Sequence, residues 1–184
     1  MNPFYASMPT TIFEAMSARA RATGAINLGQ GFPDAQGPRD VLQAAADALF
    51  NESNQYPPMS GLPGLRAAVA AHYGAHQGLD LAPDEIIVTS GATEALAASI
   101  LALVRPGDEV VLLQPMYDSY LPMVRQAGGI PRLVNLQAPD WQVSDAMLAE
   151  VFNAKTALII LNTPHNPTGS MLSAQSLAVI ADYC

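Results

Sequence analysis

Two short runs of consecutive apolar residues place the strongest constraint on how this chain can fold. Val110–Leu113 and Ala157–Leu161 are apolar without the alternation that a strand with one wet face shows. Uninterrupted apolar strands are typical of parallel sheets that are covered on both faces. Helical patterns lie between the strands, as in Ala92–Val104. We therefore predict an α/β fold with a mainly parallel sheet, right-handed crossovers and covering helices.

Periodicity and breaker residues bound the elements along the chain. Predicted helices run from near Thr11 to Gly24, from Pro38 to about Asn51, and over Leu65–Gln77, Ala92–Val104, Tyr117–Ala127, Ser144–Phe152 and from Ser173 to the chain end. We expect Gly24 and Gly78 to end their helices and Ser173 to cap the last one. Predicted strands are Ile86–Thr89, Glu109–Leu113, Ile130–Leu136 and Thr156–Leu161. In the fourth helix Leu96, Ile100 and Leu103 share one face, which we expect to pack on the sheet.

Composition excludes several classes of function. The chain has 184 residues, 50% of them hydrophobic and 13% charged, which suits one globular core. A formal net charge of −8 without any basic run argues against a nucleic-acid partner. No apolar stretch or N-terminal leader pattern predicts a membrane span or a signal peptide. With 3 histidines and Cys184 as the sole cysteine, no zinc spacing is visible, and a reducing cytoplasm is the simplest expectation.

Three loops that each follow a predicted strand form a candidate ligand site. They are Ser90–Thr93, Pro115–Tyr117 and Asn162–Gly169. Ligands of open α/β sheets bind outside the carboxyl ends of the strands. The loops therefore predict a binding site at that edge of the sheet.

The first loop has the features of a phosphate site. Gly91 permits a tight turn, and Ala92 and Thr93 expose backbone N–H groups at the positive end of a helix dipole. The alternative is ordinary N-capping by the hydroxyl of Ser90 or Thr93.

The other two loops offer a ring and an amide. Tyr117 could stack on a flat heteroaromatic ring, or it could be a core tyrosine. Asn166 could donate to a phenolic oxygen, or it could be a turn asparagine that bonds its own backbone. We interpret the neighbouring His165 as a loop residue and not as a base, because no Ser/His/Asp relay surrounds it.

Five sequence strings together resemble the aminotransferase class I/II family of fold type I, whose members use pyridoxal phosphate (PLP). They are Asn27–Asp34, Asn54–Tyr56, Ser90–Ala95, Pro115–Tyr120 and Asn162–Gly169, the last containing Asn-Pro-Thr-Gly. Thr10–Phe13 and Asn27–Asp34 are most similar to the methionine and kynurenine aminotransferase branch. The resemblance implies the N-terminal part of a fold type I large domain.

The resemblance also implies roles for individual residues in the cofactor site. Gly91, Ala92 and Thr93 would bind the PLP phosphate, Tyr117 would stack on the pyridine ring, and Asn166 would bond the 3-oxygen of the ring.

On the substrate side, Gly31 would offer its backbone to the substrate carboxylate, and Asn166 and Phe13 would line the pocket. Tyr56 would reach the phosphate of a neighbouring subunit, which implies a homodimer with shared active sites. The alternatives are a simple turn glycine at Gly31, core packing for Phe13, and an aromatic packed under a loop for Tyr56.

Parts of the family pattern are missing. Lys155 is the only lysine and precedes the Asn162–Gly169 motif, so it does not correspond to the Schiff-base lysine. We expect that lysine, the aspartate that pairs with the pyridine nitrogen, and the carboxylate-binding arginine beyond Cys184. We predict an N-terminal arm and substrate-side segment over residues 1–36. We assign residues 37–184 to the PLP-binding large domain, incomplete at Cys184. No catalytic residue is assigned within this N-terminal half.

The resemblance implies transfer of an amino group from an amino acid to a 2-oxo acid. A PLP-dependent C–S β-lyase on the same fold is the alternative enzyme. Two non-catalytic alternatives are an effector-sensing domain of a transcription regulator and a truncated, inactive PLP-binding chain.

Overall fold

The structure is a computed structural model that describes residues 6, 8–31 and 35–184. Its helices are α1 Ile12–Thr23, α2 Arg39–Asn51, α3 Pro63–Gln77, α4 Gly91–Leu103, α5 Tyr120–Gln126, α6 Asp145–Ala149 and α7 Ala174–Tyr183. Its strands are β1 Glu109–Gln114, β2 Ile130–Asn135 and β3 Thr156–Ile160, and a 3₁₀ turn covers Pro83–Glu85. In these ranges no helix combines the length and the hydropathy that crossing a membrane requires.

The chain divides into two compact units, with the boundary between Val88 and Thr89. The division predicted between residues 36 and 37 stays a prediction. Residues 32–34, which end the Asn27–Asp34 motif, and residues 1–5 and 7 of the predicted arm lie outside the described residues.

Local capping chemistry sets the helix ends of the first unit. The Thr11 hydroxyl accepts a hydrogen bond from the Glu14 N–H at 3.3 Å and so begins α1. Gly24 and Gly78 end α1 and α3 with φ of +66° and +67°, a left-handed conformation that glycine adopts without strain. Both glycine ends were predicted from the sequence, and both are confirmed.

The predicted strand Ile86–Thr89 is wrong. Its backbone is extended, with φ −113° and ψ 127° at Ile86, but no strand of the described residues pairs with it. It is tied instead to the loop before α3 and to α3 itself. The Val88 N–H donates to the Ser60 carbonyl at 3.0 Å, and the Arg66 guanidinium donates to the Ile86 carbonyl at 2.9 Å. A strand requires a hydrogen-bonded neighbour, and periodicity alone does not reveal one.

The second unit is built on a parallel sheet with the strand order β2-β1-β3. The central strand β1 is buried on both faces, as predicted. Val111 and Leu113 pack into a cluster with residues of α6 and α7. Val110 and Leu112 pack into a second cluster with residues of α4 and α5. The outer strand β3 is less covered, and Leu161 just beyond it is 39% exposed.

Three predicted helix features of this unit need correction. Helix α5 begins at Tyr120 and not at Tyr117, because Pro122 is tolerated only in a first turn and its ring would clash with an earlier turn. Helix α6 ends at Ala149 and not at Phe152. Leu103 is 59% exposed, since Ile100 and Val104, four residues apart, occupy the face that packs.

A charged network closes the amino end of the sheet. Glu109 on β1 is 3% exposed and accepts two hydrogen bonds from the Arg132 guanidinium, at 2.7 and 2.6 Å. The Asn153 amide donates a third at 2.7 Å. The bonds from Arg132 and then from Asn153 lower the pKa of Glu109 to about 2. This network stabilises the edge opposite to the candidate site.

Candidate functional site

Topology brings the three loops of the second unit toward one edge of the sheet. β1 and β3 are parallel neighbours, with Leu112 paired to Ile160, so the loops that follow them leave at the same end. Only five residues connect the end of α4 to the start of β1, and so short a connection makes α4 antiparallel to β1. Its N-terminus therefore faces the carboxyl end of β1. Leu96 of α4 and Tyr117 accordingly pack against the same cluster.

The N-terminus of α4 presents backbone donors without acceptors. Gly91 has φ +82°, and its own N–H donates to the Thr89 carbonyl at 2.8 Å. The Ser90 hydroxyl does not cap the helix, and the Ser90 N–H donates to the Glu94 carboxylate. Within the described part of the chain, the N–H groups of Ala92 and Thr93 and the Thr93 hydroxyl have no hydrogen-bond partner. The N-capping alternative for Ser90 and Thr93 is therefore not what this helix end shows.

Tyr117 combines features of both interpretations made from the sequence. It is half-buried at the end of the loop that follows β1 and packs against the cluster on the α4 side of the sheet. Its ring meets that of Tyr120 edge to face, with centroids 5.7 Å apart and an interplanar angle of 72°. Burial, and then the neighbouring Tyr117, raise the pKa of Tyr120. Tyr120 therefore supports one side of the Tyr117 ring, whose other parts stay accessible.

Asn166 keeps its side chain free because another asparagine holds its backbone. The Asn162 side-chain oxygen accepts a hydrogen bond from the Asn166 N–H at 2.6 Å. The Asn166 side chain is exposed, and no hydrogen bond to it is found among the described residues. The self-bonding turn considered from the sequence is thus not formed. The peptide bonds before Pro115, Pro164 and Pro167 are cis.

A chain of hydrogen bonds around His165 closes the same loop. His165 is 5% exposed, and its Nδ1 lies 2.8 Å from the Thr168 hydroxyl, which lies 2.8 Å from the Ser170 hydroxyl. The backbone N–H of His165 donates to the Ser170 carbonyl at 2.8 Å, and the His165 carbonyl accepts from the Gly169 N–H at 2.7 Å. Burial lowers the pKa of His165. The buried side chain is therefore a structural element of the loop, in line with the interpretation from sequence.

The candidate residues of the first unit have simpler surroundings. Gly31 is exposed, and a Cβ built on it would meet no atom of the described residues within 4 Å. Phe13 is half-buried. Tyr56 is 98% exposed, so it is not packed under a loop. The roles of these three residues toward substrate and cofactor stay predictions.

The loop that leads to Gly31 is held by a polar cluster that sequence reasoning missed. The buried Ser17 hydroxyl donates to the Gln30 side chain at 3.1 Å and accepts from the Asn27 amide at 3.0 Å. The Asn27 oxygen in turn accepts from the Gly29 N–H at 2.9 Å. The only signal in the sequence is that a serine occupies the inward face of α1.

Lys155 lies away from the candidate loops. It precedes β3 at the amino end of the sheet, where its carbonyl accepts from the Glu109 N–H at 2.9 Å. Among the described residues, no group of three or more His, Cys, Asp or Glu side chains could hold a metal ion.

The donor groups at this edge fit PLP chemically. Unpartnered N–H groups at a helix N-terminus suit a phosphate, a half-buried tyrosine suits a flat ring, and a free amide suits a phenolic oxygen. The sequence matches the family described as aminotransferase class I and II over residues 23–184, and the chain belongs to that family.

Individual relatives agree with the resemblance seen in the motifs. The chain is 50% identical to a probable N-succinyldiaminopimelate aminotransferase, DapC, of Mycobacterium tuberculosis over 94% of its own length and 44% of the relative's. It is 42% identical to the mouse kynurenine–oxoglutarate transaminase 3 over 86% of its length and 38% of the relative's.

A solved structure gives the same result for the fold. The Escherichia coli protein YbdL, for which a methionine aminotransferase function was identified, superposes with a TM-score of 0.94 at 42% identity. The match covers 100% of this chain and 48% of YbdL. The predicted α/β fold of an aminotransferase with a parallel sheet is confirmed. The chain spans less than half the length of these relatives.

Proposed function

We propose that the protein containing this chain is a PLP-dependent aminotransferase that moves an amino group from an amino acid to a 2-oxo acid. When bound, PLP supplies the electron sink that this chemistry requires. The observation that carries the proposal is the set of unpartnered donors at one edge of the sheet, in a chain that belongs to the aminotransferase family.

Each loop has a distinct proposed role at the cofactor. The N–H groups of Ala92 and Thr93, with the turn at Gly91 and the Thr93 hydroxyl, hold the phosphate. Tyr117, supported by Tyr120, lies against the ring. The Asn166 amide donates to the 3-oxygen and favours its anionic form, since a hydrogen bond to the charged form lowers a pKa.

We propose that Gly31 and Phe13 border the amino acid, and that Tyr56 reaches the cofactor phosphate of the partner in a homodimer. The 98% exposure of Tyr56 supports this role, because an exposed phenol is available to a partner. The names of the relatives suggest methionine, kynurenine and N-succinyldiaminopimelate as donors to test.

The test compares cofactor binding by the native protein and two variants of it. Asn166→Ala removes a donor to a charged oxygen, a bond of about 1.5–3 kcal/mol, so the Kd for PLP should rise roughly 10- to 150-fold. Asn51→Ala is the matched control, because among the described residues the Asn51 amide donates only to the Asp47 carbonyl of its own helix. The visible spectrum of bound PLP should shift in Asn166→Ala alone.

Equal PLP affinity and identical spectra in the two variants would overturn the assignment of Asn166. Product analysis then separates the reactions. A new amino acid formed from the 2-oxo acid acceptor supports the aminotransferase, whereas ammonia and pyruvate from a thioether amino acid would identify the C–S β-lyase.

A further inference from the structure

Two of the three histidines of the chain lie side by side on the exposed face of α3. His72 and His76 are four residues apart, which places them one above the other on the same side of the helix. Their ring centroids are 4.4 Å apart, with an angle of 44° between the ring planes. Both residues are exposed, and no hydrogen bond to either ring is found in the described part of the chain.

This arrangement matches the reach of a metal chelate. Imidazole nitrogens bind first-row transition metals at about 2.0–2.1 Å, so two nitrogens on one ion are at most about 4 Å apart. The separation of 4.4 Å between the ring centroids is of the same scale, so rotation of the side chains can bring one nitrogen of each ring to a shared ion. Because the helix already fixes the spacing of the two backbone positions, an ion would have to order only the two side chains.

The position of the pair on the helix also favours a cation. His76 lies in the last turn of α3, which ends at Gln77. The carbonyl ends of the last turn carry the negative pole of the helix dipole and attract positive charge. The formal net charge of −8 acts in the same direction over a longer range.

We propose that His72 and His76 form a two-ligand chelating site for a divalent transition-metal ion, with Cu²⁺ bound in preference to Zn²⁺. The preference follows from the order of stability of divalent ions at nitrogen ligands, in which Cu²⁺ stands highest. Water molecules complete the coordination, and the ion stays exchangeable. The site is independent of the proposed aminotransferase chemistry, because none of the residues assigned to cofactor or substrate lies on α3.

The experiment titrates the untagged native protein with Cu²⁺, and separately with Mg²⁺, which prefers oxygen ligands. The readout is the difference in bound Cu²⁺ between the native protein and the double variant His72→Gln/His76→Gln. Cu²⁺ bound at any other site contributes equally to both proteins and cancels in this difference. We expect one additional equivalent of Cu²⁺ in the native protein and no difference for Mg²⁺. Either single variant should weaken binding at least about tenfold, because joining two ligands raises affinity roughly 10²- to 10⁴-fold.

A register variant tests whether Cu²⁺ binding depends on the spacing of the two histidines and not only on their number. H76Q/Q77H keeps two histidines but moves the second to position 77, five residues from His72 and off its face. It should bind Cu²⁺ as weakly as His76→Gln. The proposal is refuted if the register variant binds like the native protein, or if the double glutamine variant loses no Cu²⁺. Circular dichroism checks that all variants keep their helix content.

Discussion

The left-handed turn at Gly91 gives a sharp test of how the phosphate site is built. A Cβ added to Gly91 would meet no atom of the described residues within 4 Å, so Gly91→Ala introduces no clash with them. The cost of the substitution comes only from the φ of +82° at this position. Placing an L-residue in the left-handed region costs about 1–2 kcal/mol. The perturbation is therefore a pure change of backbone preference at the first residue of α4.

This cost can appear as a loss of folding stability, as a loss of PLP affinity, or partly as each. The sum of the two losses is set by the left-handed conformation that the PLP-bound state requires. If the turn stays left-handed in the free protein, Gly91→Ala lowers the free energy of unfolding by about 1–2 kcal/mol and leaves PLP affinity unchanged. If the turn relaxes, the N–H groups of Ala92 and Thr93 rotate, and the strain reappears on binding as an affinity loss of up to about 5- to 30-fold. The two measured losses should add to about 1–2 kcal/mol.

Gly24→Ala is the matched control for this measurement. Gly24 has φ +66°, and an added Cβ there also meets no atom of the described residues within 4 Å. It ends α1 and has no proposed role toward the cofactor, so its full cost should appear in unfolding. Urea denaturation of the apoprotein and titration with PLP give both quantities. A measurable loss of PLP affinity that is as large in Gly24→Ala as in Gly91→Ala, or no loss of either kind in Gly91→Ala, would refute the assignment of this turn.

Two further predictions concern the sheet. Leu112→Ala should lower the free energy of unfolding by about 2–5 kcal/mol, because Leu112 is 0% exposed, whereas Leu103→Ala, at 59% exposed, should cost less than about 1 kcal/mol in the same urea titration. The pKa of Glu109 is lowered from 4.5 to about 2, so its bonds to Arg132 and Asn153 stabilise the fold above pH 4.5, and this contribution is lost as the pH falls toward 2. Glu109→Gln should therefore reduce the drop in urea midpoint between pH 5 and pH 3, and an unchanged drop would contradict the role of the network.

Features that depend on neighbouring residues in sequence were predictable. Gly24, Gly78 and the Ser173 cap of α7 were all assigned correctly, because a helix end is determined by groups within one turn. The buried strand β1 was predictable as well, since an uninterrupted apolar run has few other places in a folded chain. The parallel sheet followed from the same pattern.

Features that depend on a distant partner were not predictable. The segment Ile86–Thr89 has the composition of a strand, yet pairing requires a neighbour that the local pattern does not reveal. The role of Asn162 in holding the Asn166 backbone was also missed. The usable signal was that Asn162 lies at the end of a strand and four residues before Asn166. The His165 hydrogen-bond chain becomes visible only when the loop is closed in space.

The main-chain donors at α4 have a consequence for how this site can change in evolution. A contact made by a backbone N–H does not depend on the side chain of the residue that provides it. Position 92 can therefore accept other small residues while its proposed contact persists, whereas at position 91 any residue other than glycine carries the cost of the left-handed conformation that makes the turn possible. In comparisons between relatives, the most restricted residue of such a site is then the one that shapes the turn, and not the one whose N–H meets the ligand.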